Sequence, residues 1–205
     1  DAEKLLAQLL APPGIPRHPW LMARFARQGL RSAEQIVNAY FSEDRVRGMF
    51  AGMAAHSVRP LKSALTGAVG LMFCLTAHAS GWPLPQGGSQ SIANAMQGYL
   101  ESLGGEVVTG TEIRSMADLP SASAILFDLA PQAVSRIAAE QLPVRYRHKL
   151  ERFRHGPGVF KIDWALDGPI PWNNAAARRA GTVHVGGTFE EIAAAEAEVW
   201  TGKIP

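Results

Sequence analysis

The chain has 205 residues, of which 47% are hydrophobic and 19% are charged, proportions typical of a folded globular protein. Twenty basic and 18 acidic residues leave a formal net charge of only +2, which argues against a nucleic-acid-binding protein, since such proteins concentrate more positive charge. The single cysteine, Cys74, excludes an intramolecular disulfide and a cysteine-rich metal site.

The same residues bear on metal binding and on cellular location. The six histidines are scattered without the spacing of metal ligands, so we predict no metal site. Cys74 lies in the apolar stretch GLMFCLTA, which predicts a buried and inert thiol. The first residues lack the basic region and the long apolar run of a signal peptide. Together these features favour a reducing, cytoplasmic location.

From Ser32 to Ala79 the pattern predicts helices. Ser32 and Ser42 each precede a run with acidic residues in its first turn, so both are predicted N-caps. A further helix, at 61–79, is uncharged from Ser63 onward and raises the question of a membrane span. Because threonine, glycine and histidine dilute a short apolar run, we favour a central buried helix.

A proline-braced turn with two glycines, GWPLPQGGSQS, opens the next helix. It lacks the Gly-x-Ser-x-Gly of a serine nucleophile elbow and the Gly-x-Gly-x-x-Gly of a dinucleotide site. Two interpretations stay open: a helix N-terminus that a ligand approaches closely at Gly87 and Gly88, and a simple N-cap by Ser89. The helix itself, at 89–103, is amphipathic and ends at Gly104.

Short strands and helices alternate in the remainder of the chain. Helices are predicted to begin at Pro131, at Pro143 and after Thr188, which forms a capping box with Glu191. The predicted strands are 106–113 (EVVTGTEI), 124–129 (AILFDL), 158–166 (GVFKIDWAL) and 181–187 (GTVHVGG). The predicted fold class is therefore α+β, a helix-rich chain with a small mixed sheet.

A longer pattern joins these segments in order: GWPLPQGGSQSIANAMQGYLESLGGEVVTGTEI, then ILFDLAPQAV, then GVFKIDWALDGPIPW, then GTVHVGGTFEEIAAAE. In this order they resemble the phytoene dehydrogenase-like, FAD-dependent oxidoreductases of the amine oxidase and phytoene desaturase superfamily. The resemblance covers roughly residues 50–205. Its most specific part is DGPIPW followed by HVGGTFEEI.

The resemblance implies part of a larger two-domain flavoprotein that binds FAD and NAD(P). Residues 1–85 would be a helical segment of the substrate domain. Residues 86–142 would border the FAD domain with a helix and two short strands, and 143–205 would supply substrate-domain strands and helices. The family's opening nucleotide-binding motif and its closing flavin-contacting segment have no counterpart here. We therefore expect an internal fragment that does not retain FAD alone.

The resemblance also assigns site residues. Ile113 falls where the family approaches the adenine end of FAD, and Gly87 and Gly88 fall at the helix start beside the substrate cavity, so these three are the predicted cofactor-binding residues. No catalytic side chain is predicted, because the flavin ring accepts the hydride. The predicted substrate-binding residues are Ser89, Trp82 and Trp164.

We therefore predict that the chain is the substrate-binding and interdomain portion of a dehydrogenase or desaturase-like flavoenzyme. The whole flavoenzyme would act on an apolar small molecule, and the fragment alone would be inactive. One alternative is a stand-alone module that binds a hydrophobic ligand or partner without redox chemistry. A fragment, unlike a module, would expose apolar sheet edges and self-associate. A third interpretation is a peripheral membrane contact made by helix 61–79 and by the basic clusters at 24–31 and 145–154. Without such a contact, the two basic clusters predict solvated helix faces.

Overall fold

The computed structural model describes residues 2–12, 14–79 and 81–204. They form two compact units, the first made of residues 1–84 together with 156–205 and the second of residues 85–155. Short 3-10 turns lie at Met116–Asp118 and Ala177–Arg179. The helices in chain order are α1 (Ala2–Leu9), α2 (Pro19–Gly29), α3 (Ala33–Tyr40), α4 (Asp44–Ala55), α5 (Thr66–Ala79), α6 (Gln90–Ser102), α7 (Pro131–Ile137), α8 (Val144–Glu151) and α9 (Phe189–Trp200).

The predicted α+β class is wrong for the described part of the chain, in which helices make up 49% and no strand is present. The four segments predicted as strands share no backbone hydrogen bonds among the described residues. Alternating and β-branched residues suit a segment to a sheet, but a strand exists only where a second segment supplies matching amide and carbonyl groups. Apolar side chains of these segments consequently remain exposed, 96% for Leu126 and 89% for Phe160.

Helix α5 lies at the centre of the first unit, where it packs against α1, α2, α3 and α4. Small residues allow this close packing. A Cβ added at Gly67 would lie 2.5 Å from Cδ1 of Ile36, and one added at Gly70 would lie 2.8 Å from Cζ of Phe50. Larger residues would therefore force the helices apart. The predicted central helix is confirmed in position, although it begins at Thr66 and much of its surface is only half-buried.

None of the helices in the described ranges has both the length and the apolar character needed to cross a bilayer.

A hydrophobic core joins α3, α4, the loop before α5 and the first turn of α9. The hydroxyl of Thr66, which is 1% exposed, accepts a hydrogen bond from the amide of Ala33 at 2.8 Å and donates to the carbonyl of Ser63 at 2.8 Å. It thereby satisfies backbone groups that burial would otherwise leave unpaired. The core side chains are those of Ala33, Ile36, Val37, Phe50, Ala51, Ala54, Leu61 and Phe189.

Three predicted helix starts are confirmed. The Ser32 hydroxyl accepts from the amide of Gln35 at 3.1 Å, and the two residues form a capping box at the start of α3. The Thr188 hydroxyl accepts from the amide of Glu191 at 3.2 Å in a second capping box, at α9. Pro131 is the first residue of α7. Each rests on local sequence rules, which need no distant partner.

One predicted N-cap, Ser42, is wrong, and the capping interpretation left open for Ser89 is not realised. Glu43, rather than Ser42, precedes the first residue of α4. Ser89 precedes α6, but its backbone is already helical (φ −62°, ψ −27°) and its side chain makes no capping hydrogen bond. An N-cap needs an extended backbone to aim its oxygen at the following amides. In the first turn of α6 the Ser91 hydroxyl instead donates to the carbonyl of Gly88 at 2.7 Å.

The second unit contains one packed helix pair and one exposed helix. α7 and α8 pack together, with Ser135 buried and the Arg147–Glu151 ion pair at 3.4 Å. Helix α6 has no buried residue; its C-cap is Leu103, and the following Gly104 has a left-handed φ of +84°, as predicted. The apolar face of this amphipathic helix is exposed. That face carries Ile92, Met96, Tyr99, Leu100 and Leu103.

Candidate functional site

A groove of about 720 Å³ lies in the first unit between α4, the segment 184–187 and α9. Its walls are mainly aliphatic and thioether groups, which suit an apolar ligand. Its apolar side chains include Met49, Met53, Val185, Ile192 and Ala195, and its ionisable ones are Arg45, His184, Glu191 and Glu196.

Two glycines four residues apart in α4 shape the groove. A Cβ added at Gly48 would lie 2.8 Å from the carbonyl oxygen of Gly187, so this segment can approach α4 only because Gly48 lacks a side chain. A Cβ added at Gly52 would meet nothing within 4 Å. Gly48 therefore sets the distance between the walls, and Gly52 leaves open space for a ligand.

The first turn of α9 is fixed against α4 by an ion pair and by packing. The Arg47 guanidinium donates to the Glu190 carboxylate at 2.8 Å and lies 5.6 Å from the centre of the Phe189 ring. Phe189 is itself buried in the core. The hydrogen bond from Arg47 holds the pKa of Glu190 below its usual value.

A row of aromatic rings leads from the groove. The His184 ring lies edge-on to His56 at 5.0 Å, His56 stacks on Phe73 at 4.5 Å, and Phe73 stacks on Trp82 at 5.3 Å. Packing removes water from part of the His56 ring, and this desolvation, together with repulsion from His184, lowers the pKa of His56. Burial likewise raises the pKa of the Glu196 carboxyl. Both shifts favour the uncharged form, in keeping with an apolar groove.

The two predicted substrate-binding tryptophans are both in the first unit but do not share a cavity. Trp82 is half-exposed at the end of the aromatic row and does not line the groove. Trp164 is 73% exposed and lines a separate cavity of about 590 Å³ built by residues 162–171, which include most of the DGPIPW stretch. This cavity and the groove have no lining residue in common.

The remaining predicted site residues, Gly87, Gly88, Ser89 and Ile113, belong to the second unit. Both glycines have a left-handed φ of +85°. An added Cβ would find only Ser91 at 3.9 Å from Gly87 and nothing within 4 Å of Gly88. The turn's own conformation therefore accounts for these glycines. Ser89 is exposed and Ile113 is half-buried.

These residues do not fit FAD by themselves. A flavin pyrophosphate needs several free backbone amides at a glycine-rich turn in front of a helix. Here the amide of Gly88 already donates to the carbonyl of Pro85 at 3.1 Å, and the turn is exposed to solvent.

The sequence contained a signal for the groove that motif analysis missed. Gly48 and Gly52 have a Gly-x-x-x-Gly spacing, and each is followed by a methionine, Met49 and Met53. Small residues at i and i+4 mark a helix face that another backbone can approach. The partner segment follows more than 100 residues later, which is why the spacing alone does not identify a groove.

Cys74 packs against the core but is half-buried rather than buried, and burial raises the pKa of its thiol. Its sulfur is therefore mostly a neutral thiol. Over the described ranges, no cluster of three or more histidine, cysteine or carboxylate side chains is arranged to hold a metal ion.

Comparison of the chain with protein-family models, with curated proteins and with solved structures finds no match.

Proposed function

We propose that the chain is the substrate-binding portion of an FAD-dependent oxidoreductase and that the groove between α4 and α9 holds its apolar substrate. One observation carries this proposal. The groove is walled by residues 184–187 and the first turn of α9, and these belong to HVGGTFEEI, a segment on which the family resemblance is most specific.

The size and chemistry of the groove support an apolar substrate. Its volume of about 720 Å³ lies within the range of about 300–1,000 Å³ typical of small-molecule sites. Burying hydrocarbon there contributes about 25 cal/mol per Å² of apolar surface. Met49 and Met53 add flexible, polarisable side chains that can adapt to an irregular ligand.

The contribution of these residues is to bind and orient the substrate and to exclude water. A bound flavin would supply hydride acceptance, and in this proposal other parts of a larger protein hold it. Exposed apolar side chains on the four strand-like segments support such a larger protein, because each segment could gain a partner strand there. They include Val108, Leu126, Phe160 and Val185.

Binding of all-trans-retinol, a short fluorescent polyene, tests the groove. Gly52→Leu places a side chain in open groove space, so we expect it to weaken retinol binding about 10-fold or more, as expected for about 1.4 kcal/mol of lost contact. Gly98→Leu is the matched control, since Gly98 is also within a helix and also has nothing near its Cβ position. Equal affinity in both variants, or no retinol binding at all, would overturn the assignment of the groove.

The visible absorption spectrum tests the flavoenzyme part separately. We expect flavin absorbance from a version extended to the natural ends of the gene, and none from this chain with added FAD. Retinol binding without flavin in the extended form would favour the second candidate, a stand-alone hydrophobic-ligand module. The poor fit of the Gly87–Gly88 turn to FAD is the observation that supports this second candidate, the stand-alone module.

A further inference from the structure

Cationic side chains from two helices meet at one concave surface of the first unit. A cavity of about 430 Å³ is lined by Lys4 of α1, by Arg17 and His18 from the connecting loop, and by Trp20 and Arg24 of α2. No acidic residue lines it. The amide of Arg17 donates to the side chain of Gln8 at 2.7 Å, which fixes the loop on α1. We call this surface the basic concavity.

Trp20 is the apolar part of the basic concavity. It is 84% exposed, which is unusual for the largest apolar side chain. Trp20, Arg24 and Arg27 are spaced four and three residues apart in α2, so they share one helix face. Exposed tryptophan rings are typical of protein surfaces that lie at the level of the lipid headgroups, and arginines on the same surface can contact headgroup phosphates.

The charge of the surface points to an anionic partner. Among the described residues, Lys4, Arg17 and Arg24 make no ion pair with a carboxylate. The one carboxylate of α1, Glu3, does not line the concavity. His18 precedes α2 without capping it by a side-chain hydrogen bond, so the first amides of that helix add positive potential.

We propose that the basic concavity docks on an anionic phospholipid membrane, with Lys4, Arg17 and Arg24 contacting headgroup phosphates and Trp20 entering the interface. A nucleic acid fits this surface less well, because single-strand binding uses an extended basic groove with several stacking aromatic rings. This docking does not depend on the proposed redox function.

Vesicle flotation tests the proposal. We expect the chain to float with vesicles of mixed phosphatidylglycerol and phosphatidylcholine, to remain behind with phosphatidylcholine alone, and to dissociate as salt is raised. Each cation near an anionic leaflet strengthens partitioning about fivefold, so the combined variant Lys4→Gln, Arg17→Gln and Arg24→Gln should lose binding on the order of 100-fold. Equal flotation with both vesicle types would overturn the proposal.

The basic helix α8 supplies a matched control. Arg145→Gln, Lys149→Gln and Arg152→Gln together remove the same charge from another exposed, basic surface, and we expect them to leave flotation nearly unchanged. All six substitutions are at exposed positions, and circular dichroism verifies that helix content is kept. Loss of flotation in the α8 variant but not in the concavity variant would overturn the proposal.

Two further measurements address the tryptophan and the competing class of partner. Tryptophan emission should shift to shorter wavelength on addition of anionic vesicles, and the shift should be much smaller in Trp20→Phe. An unchanged shift in that variant contradicts insertion of Trp20. A single-stranded oligonucleotide that binds more tightly than the vesicles, and displaces the chain from them, would assign the surface to nucleic acid instead.

Discussion

His56 connects the aromatic row to the groove wall, and its environment penalises the charged imidazolium. In the folded chain the ring stacks on Phe73 and meets His184. In the unfolded chain it is fully hydrated, with a pKa of 6.5. The two states therefore bind protons differently just below neutral pH.

We expect the stability of the chain to fall as pH is lowered through this range. Because the pKa of His56 is lower in the folded state, the unfolded state takes up the proton first. His56 therefore costs the fold no stability well above pH 6.5, and the free energy of unfolding decreases as pH falls from there toward the folded-state pKa of His56. His56→Phe keeps the ring stack but cannot titrate. Urea unfolding between about pH 7.5 and pH 5 should show a smaller loss of stability in the variant than in the wild type. Parallel curves for the two proteins would contradict this account.

At the residue scale, local roles were predictable and long-range roles were not. Ser32 and Thr188 are recognisable as caps in the sequence because the groups they bond lie three residues away. The role of Thr66 has no such local signal, because the Ala33 amide that it satisfies is 33 residues distant. His56 and His184 are likewise brought together by the packing of the first unit alone.

Helix α4 illustrates how one element serves both packing and the groove. Gly48 faces the carbonyl of Gly187, whereas Gly52 faces open space. The two glycines have the same helical conformation and opposite surroundings.

Alanine substitutions at these glycines should therefore have opposite effects. Gly48→Ala places a Cβ against a backbone oxygen, and such overpacking costs about 1–3 kcal/mol. The higher helix propensity of alanine offsets part of this cost, so we expect a net destabilisation of about 1–2 kcal/mol. Gly52→Ala has no such clash and should stabilise by up to about 1 kcal/mol. Chemical denaturation of the two variants measures both values. Stabilisation by both would show that α4 and the segment 184–187 do not pack as described.

At the element scale, helices are more predictable than strands, because the backbone hydrogen bonds of a helix lie within one segment and those of a strand need a second segment. A helix satisfies its backbone within one segment, so the patterns around Ser32, Pro131 and Thr188 were sufficient. The segments 106–113 and 158–166 have strand-like sequences, but a ladder requires a partner that the described chain does not supply. Residue alternation shows that a segment suits a sheet, without showing that a sheet is present.

For the whole molecule, the exposed strand-like segments predict self-association. Unpaired segments that have strand-like sequences and expose apolar side chains can pair with another copy. We expect light scattering to show mass rising with protein concentration, and Leu126→Lys with Phe160→Lys to reduce that rise. Ile15→Lys is the control, because Ile15 is equally exposed but lies outside these segments. A constant monomer mass in the wild type, or an equal effect of the control, would contradict this expectation.

The organisation of the chain was also only partly visible in the sequence. The resemblance assigned residues 1–85 and 143–205 to one substrate domain and 86–142 to the border of another, and the structure groups residues 1–84 with 156–205 in one unit and 85–155 in a second. Composition changes and linkers mark boundaries along a chain, but no local pattern indicates that α4 will meet α9. The apolar groove was missed for the same reason, since its two walls come from distant parts of the sequence.

The contact between α4 and α9 has a consequence for biosynthesis. Arg47 and Glu190 are 143 residues apart, and ribosomes add about 5–20 residues per second, so α4 emerges roughly 7–30 s before its partner. During that interval the core cluster that includes Phe50 and Ala51 lacks Phe189, which belongs to it in the finished fold. The nascent chain thus exposes this apolar helix surface while the residues between Arg47 and Glu190 are being translated, and transiently exposed apolar surface is what chaperones protect from aggregation.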